Sequence, residues 1–290
     1  METATLANEI LAATSCATEE PEGSWVETLK AYVRPEWQDL VEGEWATNVK
    51  NATWSTEGMK GWFLQLYPFI HSFPKFLAEA LIKVEDEYAR SFLIDNIRVE
   101  KAHAEHWIWM GEGFGIHRDE MLALAAGERS VLRDVQSLTD WIWYINSKGT
   151  LAEAVAATSY AVEGVTGDLT RALLDGFMSY GGRPGVRMDA RTTKWFRTHA
   201  KYDDDHPRIA LQIVERYAST DRDRRKVMMA ARRSLQLLHL ALMTASSTYH
   251  ADSGISNRLA PQVTERRRAQ QPIGFPDRRV VDRLKGSAAN

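Results

Sequence analysis

Apolar residues recur at intervals of three and four along nearly the whole chain, and stretches that alternate apolar with polar residues are scarce. That periodicity predicts helices and leaves little room for strands. One helix is expected to begin at Trp25, after the break at Glu20-Pro21-Glu22-Gly23-Ser24. Ser55 or Thr56 is placed to cap the next, which carries Trp62, Leu66 and Phe69 at helical spacing. Pro68 and Pro74 should kink or interrupt that region, with helices following over about 76–87 and 90–110. Gly111, Gly113 and Gly115 stop the second of these. The alanine-rich stretch 151–177 has strong helix propensity, and 180–185 reads as a loop. Further helices are expected over 191–205, 207–218 and from an Asp221 cap to about Tyr249. Short breaks between roughly seven core helices make the predicted fold all-α, a single seven-helix bundle. It would occupy 24–252, between an N-terminal extension (1–23) and a basic tail (253–290).

Composition narrows the function classes. Of 290 residues, 44% are hydrophobic and 26% charged, ordinary values for a globular protein. A net charge of −3 gives no reason to expect a nucleic-acid partner, and the basic stretch from Arg258 reads as a solvated tail. No apolar run approaches the roughly 18 residues of a membrane span. The single cysteine, Cys16, excludes an internal disulfide framework and fits a reducing compartment. The opening Met1-Glu2-Thr3-Ala4 lacks the pattern of a secretory signal, so a cytoplasmic location is expected.

Three segments offer chemistry. In His199-Ala-Lys-Tyr-Asp203-Asp-Asp-His206, positions i, i+4 and i+7 of one helix would lie within about 60° of each other. His199, Asp203 and His206 would then project together as two imidazoles and a carboxylate, although Pro207 biases His206 away from helical geometry. Glu100 and His103, at i and i+3, share a face, with His106 as the substitute ligand. Glu163 has small or apolar helical neighbours, among them Ala156, Ser159, Val162 and Gly167. A carboxylate buried there is costly unless paired, protonated or metal-bound. The bland alternatives are a solvated helix end for the first segment and exposed side chains for the other two. Together, Glu100, His103, Glu163, His199, Asp203 and His206 form a thiolate-free set that suits non-haem iron or manganese better than structural zinc. The aromatic residues, including Trp62, Trp107, Trp109 and Trp195, read chiefly as core, with one or two walling a substrate pocket.

With these residues in view, the chain resembles the heme-oxygenase-like diiron oxidases, relatives of the TenA and PqqC proteins. The resemblance covers about residues 30–250. It lies in Glu100 with His103, Glu163, and the His-x3-Asp-x2-His of His199, Asp203 and His206, together with the Asp95-Asn96-Ile97 lead-in and Phe73-Pro74-Lys75-Phe76-Leu77. It implies a seven-helix bundle of the heme-oxygenase-like type that binds two Fe(II) and takes dioxygen as co-substrate. Glu100, Glu163 and Asp203 would be the catalytic carboxylates. The substrate would be a small molecule, amino-acid-derived in preference to a fatty acid, oxidised by N-oxygenation, oxidative decarboxylation or carbon–carbon cleavage. A homodimer is compatible with this reading. Four rivals are weaker. A thiaminase of the TenA kind needs a nucleophilic Cys in the core, and Cys16 precedes the bundle. A metal-free oxidase resembling PqqC leaves six placed ligands unexplained, and a non-enzymatic binding module would rest instead on the basic tail and the aromatic content. A haem-degrading oxygenase needs an early-helix proximal His.

Overall fold

The computed structural model describes residues 25–201 and 205–250. The expected extension (1–23), the basic tail (253–290) and Asp203 lie outside the described residues. Eleven α-helices run through the rest: α1 (Trp25–Glu42), α2 (Glu44–Lys50), α3 (Thr56–Leu81), α4 (Glu87–Gly113), α5 (Arg118–Ala125), α6 (Arg133–Lys148), α7 (Leu151–Val155), α8 (Gly164–Ser179), α9 (Lys194–Lys201), α10 (His206–Tyr217) and α11 (Asp221–His250). A π-helical segment, Ala156–Glu163, joins α7 directly to α8. Counting that continuous 151–179 stretch once, and setting aside the short α2, α5 and α9, seven long helices remain among the described residues. The predicted all-α bundle is therefore the observed fold.

Local signals explain most helix boundaries. Ser55 caps α3 by accepting a hydrogen bond from the Gly58 amide, 3.0 Å, and Asp86 caps α4 through the Ala89 amide, 3.0 Å. Thr150 and Glu153 form a reciprocal capping box at α7. At the end of α4, Gly115 takes φ +79°, a conformation that favours glycine. The prolines do not interrupt the helix. Both Pro68 and Pro74 lie inside an unbroken α3, and the break falls at 82–86 instead. Each proline costs a helix interior about 3 kcal/mol or more. Against that, α3 buries Trp62, Phe63, Leu66, Phe69, Phe73, Phe76 and Leu77, at about 1.5–3 kcal/mol for each large side chain. Packing prevails over the local penalty.

The core is a network of aromatic rings. Phe177 of α8 stacks on Phe196 of α9 at 4.1 Å and 6°, and Trp62 meets Trp45 edge-on at 4.8 Å. The long α11 packs against α1, α3, α6 and the π segment, while α10 covers the π segment from another side. Gly61 permits the α3–α11 approach, because a Cβ there would stand 2.3 Å from the Ala245 carbonyl oxygen. Among the described residues, no helix is long and apolar enough to cross a membrane.

Candidate metal centre

The centre of the bundle holds polar groups that an apolar core would otherwise exclude. On α4, Asn96, Glu100 and His103 follow one another at i, i+4 and i+7, and are 0%, 6% and 7% exposed. His103 Nδ1 lies 3.0 Å from Glu100 Oε1. Glu163, the last residue of the π segment, is 8% exposed. Its Oε2 accepts a 2.7 Å hydrogen bond from Asn96 Nδ2, and its Oε1 lies 2.9 Å from His206 Nδ1. His206 opens α10 and sets its ring edge-on to Phe92 at 5.6 Å. His199, on α9, lies 4.4 Å from the His103 ring and 4.1 Å from the Trp195 ring, centroid to centroid. Its Nδ1 donates to the Trp195 carbonyl oxygen at 2.8 Å.

A common pattern governs the three imidazoles. His103, His199 and His206 each turn Nδ1 toward an oxygen acceptor. In the neutral ring this puts the proton on Nδ1 and the lone pair on Nε2. That is the arrangement by which an outer oxygen orients a metal-binding histidine. The π segment contributes as well. A π turn inside an α-helix is rare and concentrates at functional sites, because it widens the backbone and re-aims the side chains that follow. Gly164, next in sequence, lets α10 approach: a Cβ there would lie 3.0 Å from Trp37 Cη2 and 3.3 Å from Pro207 Cβ.

Electrostatics sets the two carboxylates against each other. Burial is the main force raising the Glu163 carboxyl above the usual range, and the nearby Glu100 charge raises it further. The hydrogen bonds from His206 and Asn96 act in the opposite direction. Two buried acids in mutual repulsion are a setting that a dication relieves. The donor set of carboxylate oxygens and imidazole nitrogens, with no thiolate, fits iron. Among the described residues, however, no group of three or more His, Cys, Asp or Glu side chains stands close enough to hold an ion together. What is assembled is two carboxylate–imidazole pairs, Glu100–His103 and Glu163–His206, with His199 against the first.

His199 and His206 do not share one helix face, and Asp203 lies outside the described residues. Helices α9 (Lys194–Lys201) and α10 (His206–Tyr217) are separate, with Asp205 in neither, so the two histidines reach the centre from different helices. Proline at the second position of α10 is the physical reason, since it starts a helix more readily than it continues one. His103, not His106, lines the central cavity. His106 lies beside Trp109 at 5.1 Å and is held neutral, pushed down to about 4 by burial first, then by Lys194 and His103. Asn96 stands one turn before Glu100, and that spacing is the sequence signal for its role. The cavity is lined by Glu100, His103, Glu163 and His199 and by apolar residues of α3, α8 and α11, including Leu66, Phe69, Leu238 and Leu242. Trp62, Trp107 and Trp195, expected chiefly as core, are both buried and part of this wall.

An all-helical bundle with acids and imidazoles from separate helices around one apolar cavity defines the class: a heme-oxygenase-like fold with a polar centre. More specifically, the chain belongs to the family described as iron-containing redox enzyme, whose model matches residues 60–239, more than half of the chain. Every described residue of the centre falls within that range. Among solved structures, a TenA homologue from Pseudomonas syringae pv. tomato is 26% identical with a TM-score of 0.69, covering 77% of this chain and 93% of its own. A domain of unknown function with a heme oxygenase-like fold from Shewanella denitrificans is 18% identical with a TM-score of 0.65, over 77% and 93%. A TenA-like thiaminase, so described, from Sulfolobus solfataricus is 12% identical with a TM-score of 0.59, over 77% and 96%. The last two share the fold alone. No curated protein matches the chain.

Proposed function

We propose that this protein is a non-haem diiron oxidase that uses dioxygen to oxidise a small metabolite held in the central cavity. The observation that carries this reading is the convergence of Glu100, His103, Glu163 and His199 on one cavity from three segments, with the carboxylates paired to imidazoles as Glu100–His103 and Glu163–His206. Glu100, His103, Glu163, His199 and His206 would hold the iron, joined by Asp203, which lies outside the described residues. Bound iron would supply the one- and two-electron chemistry with dioxygen that side chains alone lack. The chain's own part is to fix the donors and exclude water. Asn96 holds the Glu163 carboxylate in place, the Trp195 carbonyl fixes the His199 ring, and the aromatic wall keeps the site dry. Family membership supports a redox role for iron.

Adding Fe(II) anaerobically and then oxygen should give oxygen consumption in the wild-type protein. Glu163→Ala and His206→Ala should abolish it while leaving helical circular dichroism largely intact. Unchanged consumption in both variants removes the proposed site. A second reading, a metal-free member of the fold, is favoured by one observation: no three-donor group is preassembled among the described residues. That reading predicts neither tight iron uptake nor an iron-dependent response to oxygen, so the same experiment separates the two.

A further inference from the structure

We propose that a row of five tryptophans passes single electrons from the protein surface to the central cavity, and so drains stray oxidising equivalents from it. This rests on the proposed function only for the source of the oxidant. Trp195, Trp107 and Trp62 line the cavity. Centroid to centroid, Trp195 lies 4.1 Å from the His199 ring and 4.8 Å from Trp107. Trp62 lies 5.9 Å from Trp107 and 4.8 Å from Trp45. Trp54 continues the row, since its Nε1 donates to the Trp45 carbonyl oxygen at 3.2 Å. Its ring meets that of the exposed His250 at 5.2 Å. Half of the ten tryptophans thus form one line from the cavity wall to the surface.

The residue type points to this role. Phenylalanine would serve packing alone, and it fills the adjoining core at Phe63, Phe114, Phe177 and Phe196. Indole gives up an electron more readily than a phenyl ring, because its nitrogen lone pair enriches the π system. Three indoles around a cavity that receives an oxygen-derived oxidant would be consumed unless the vacancy moved on. In the row, the oxidant takes one electron from Trp195 and leaves an indole radical cation. Trp107 refills Trp195, Trp62 refills Trp107, Trp45 refills Trp62 and Trp54 refills Trp45. An enediol such as ascorbate refills Trp54 at the surface and sheds its proton to water. The oxidant gains one electron, the enediol loses one, and every indole is restored. No indole proton has to leave. Nε1 of Trp107, Trp45 and Trp54 donates to the Phe63 carbonyl, the Ser246 hydroxyl and the Trp45 carbonyl, bonds that strengthen when the donor turns cationic. The buried Trp62 Nε1 has no hydrogen-bond partner, so its cation is the least stabilised and its step the slowest.

The test injects the vacancy at the surface end. In the full, metal-free chain, Cys16→Ser with Thr53→Cys leaves one thiol, on the exposed residue beside Trp54, for attaching a tris(bipyridine)ruthenium photo-oxidant. Illumination proceeds without oxygen, in heavy-oxygen water, with a cobalt(III) ammine as quencher. Each tryptophan that holds a vacancy long enough to react with water gains heavy oxygen, which peptide mass spectrometry locates. Trp195 should be marked well above Trp141 and Trp143, whose ring contacts run to Tyr144 and Phe76 and not to the row. Trp45→Phe and Trp107→Phe should each lower the Trp195 mark to the Trp141 level and leave Trp54 marked as in the parent. A parent that marks Trp195 no more than Trp141, or a Trp195 mark that survives either substitution in a folded chain, overturns the proposal. Should one variant misfold, the other decides; should both, the parent's ratio of Trp195 to Trp141 does. No iron enters this assay, so a chain that fails to take up iron would defeat the proposed function without altering the map. A negative map would equally leave iron-dependent oxygen consumption standing.

Discussion

The two carboxylate–imidazole pairs at the centre are built in opposite ways. Glu100 and His103 are three residues apart on one helix, so their 3.0 Å contact is a local product of helical geometry. Glu163 and His206 are 43 residues apart, on a π segment and on the first residue of α10, and meet only because the bundle folds. The local pair forms wherever α4 forms. The distant pair depends on three further features: the Asn96 hydrogen bond, the glycine at 164 and the start of α10 at a proline. One half of the centre is set by secondary structure, the other by tertiary structure, and the second half is where perturbations away from the site should act.

The largest effect is expected from deleting the tertiary pair's acid. Glu163→Ala removes the group that both His206 and Asn96 address, and iron-dependent oxygen consumption should fall to background. Next is the supporting amide. Asn96→Ala leaves Glu163 Oε2 without its donor, and outer partners of metal ligands typically contribute 10–100-fold in affinity. A drop of about that size should appear in an anaerobic Fe(II) titration; unaltered affinity would mean that Asn96 only fills space.

Gly164→Ala acts at a distance. Its added Cβ would press on Trp37 and Pro207 at 3.0 and 3.3 Å, at a cost of about 1–3 kcal/mol seen as a lower melting temperature. The displaced α10 should disturb the Glu163–His206 pair and spare Glu100–His103. Equal damage to both halves would contradict the division drawn between them.

The smallest effect concerns His106. Its folded-state value of about 4 lies below the ordinary 6.5, so the unfolded chain binds the proton more readily. The stability it contributes is fully present above pH 6.5 and is lost as pH falls through 4. His106→Phe should flatten that part of the melting temperature against pH. A profile that keeps the wild-type slope would assign the acid limb to other groups.

This division also explains what the sequence disclosed. The Ser55 cap, the stop at Gly113–Gly115 and a helix start near Asp221 are local signals legible in the sequence, although Thr220, not Asp221, makes that cap by accepting from the Asp223 amide at 3.2 Å. The Glu100–His103 pair was legible too. The uninterrupted passage of α3 through Pro68 and Pro74 was not, because burial of its aromatic face decides it. The π segment was equally invisible: Ala156–Glu163 has ordinary α-helical propensities, and its widened turn reflects what packs around it. Helical spacing sets His206 on one face with His199, yet the two stand on separate helices. The true partner of His206 is Glu163, and no local spacing relates the two. Asn96 is the intermediate case: its place one turn from Glu100 is legible, but its partner Glu163 comes from a distant segment.

The central claim is that two halves, one local and one tertiary, converge to hold iron. Anaerobic Fe(II) titration of the wild-type chain beside Glu100→Ala and Glu163→Ala tests it most directly. Two tightly bound irons per wild-type chain, with the complement reduced in each variant, is the predicted result. A wild-type chain that binds no iron tightly, or variants that retain its full complement, would contradict it.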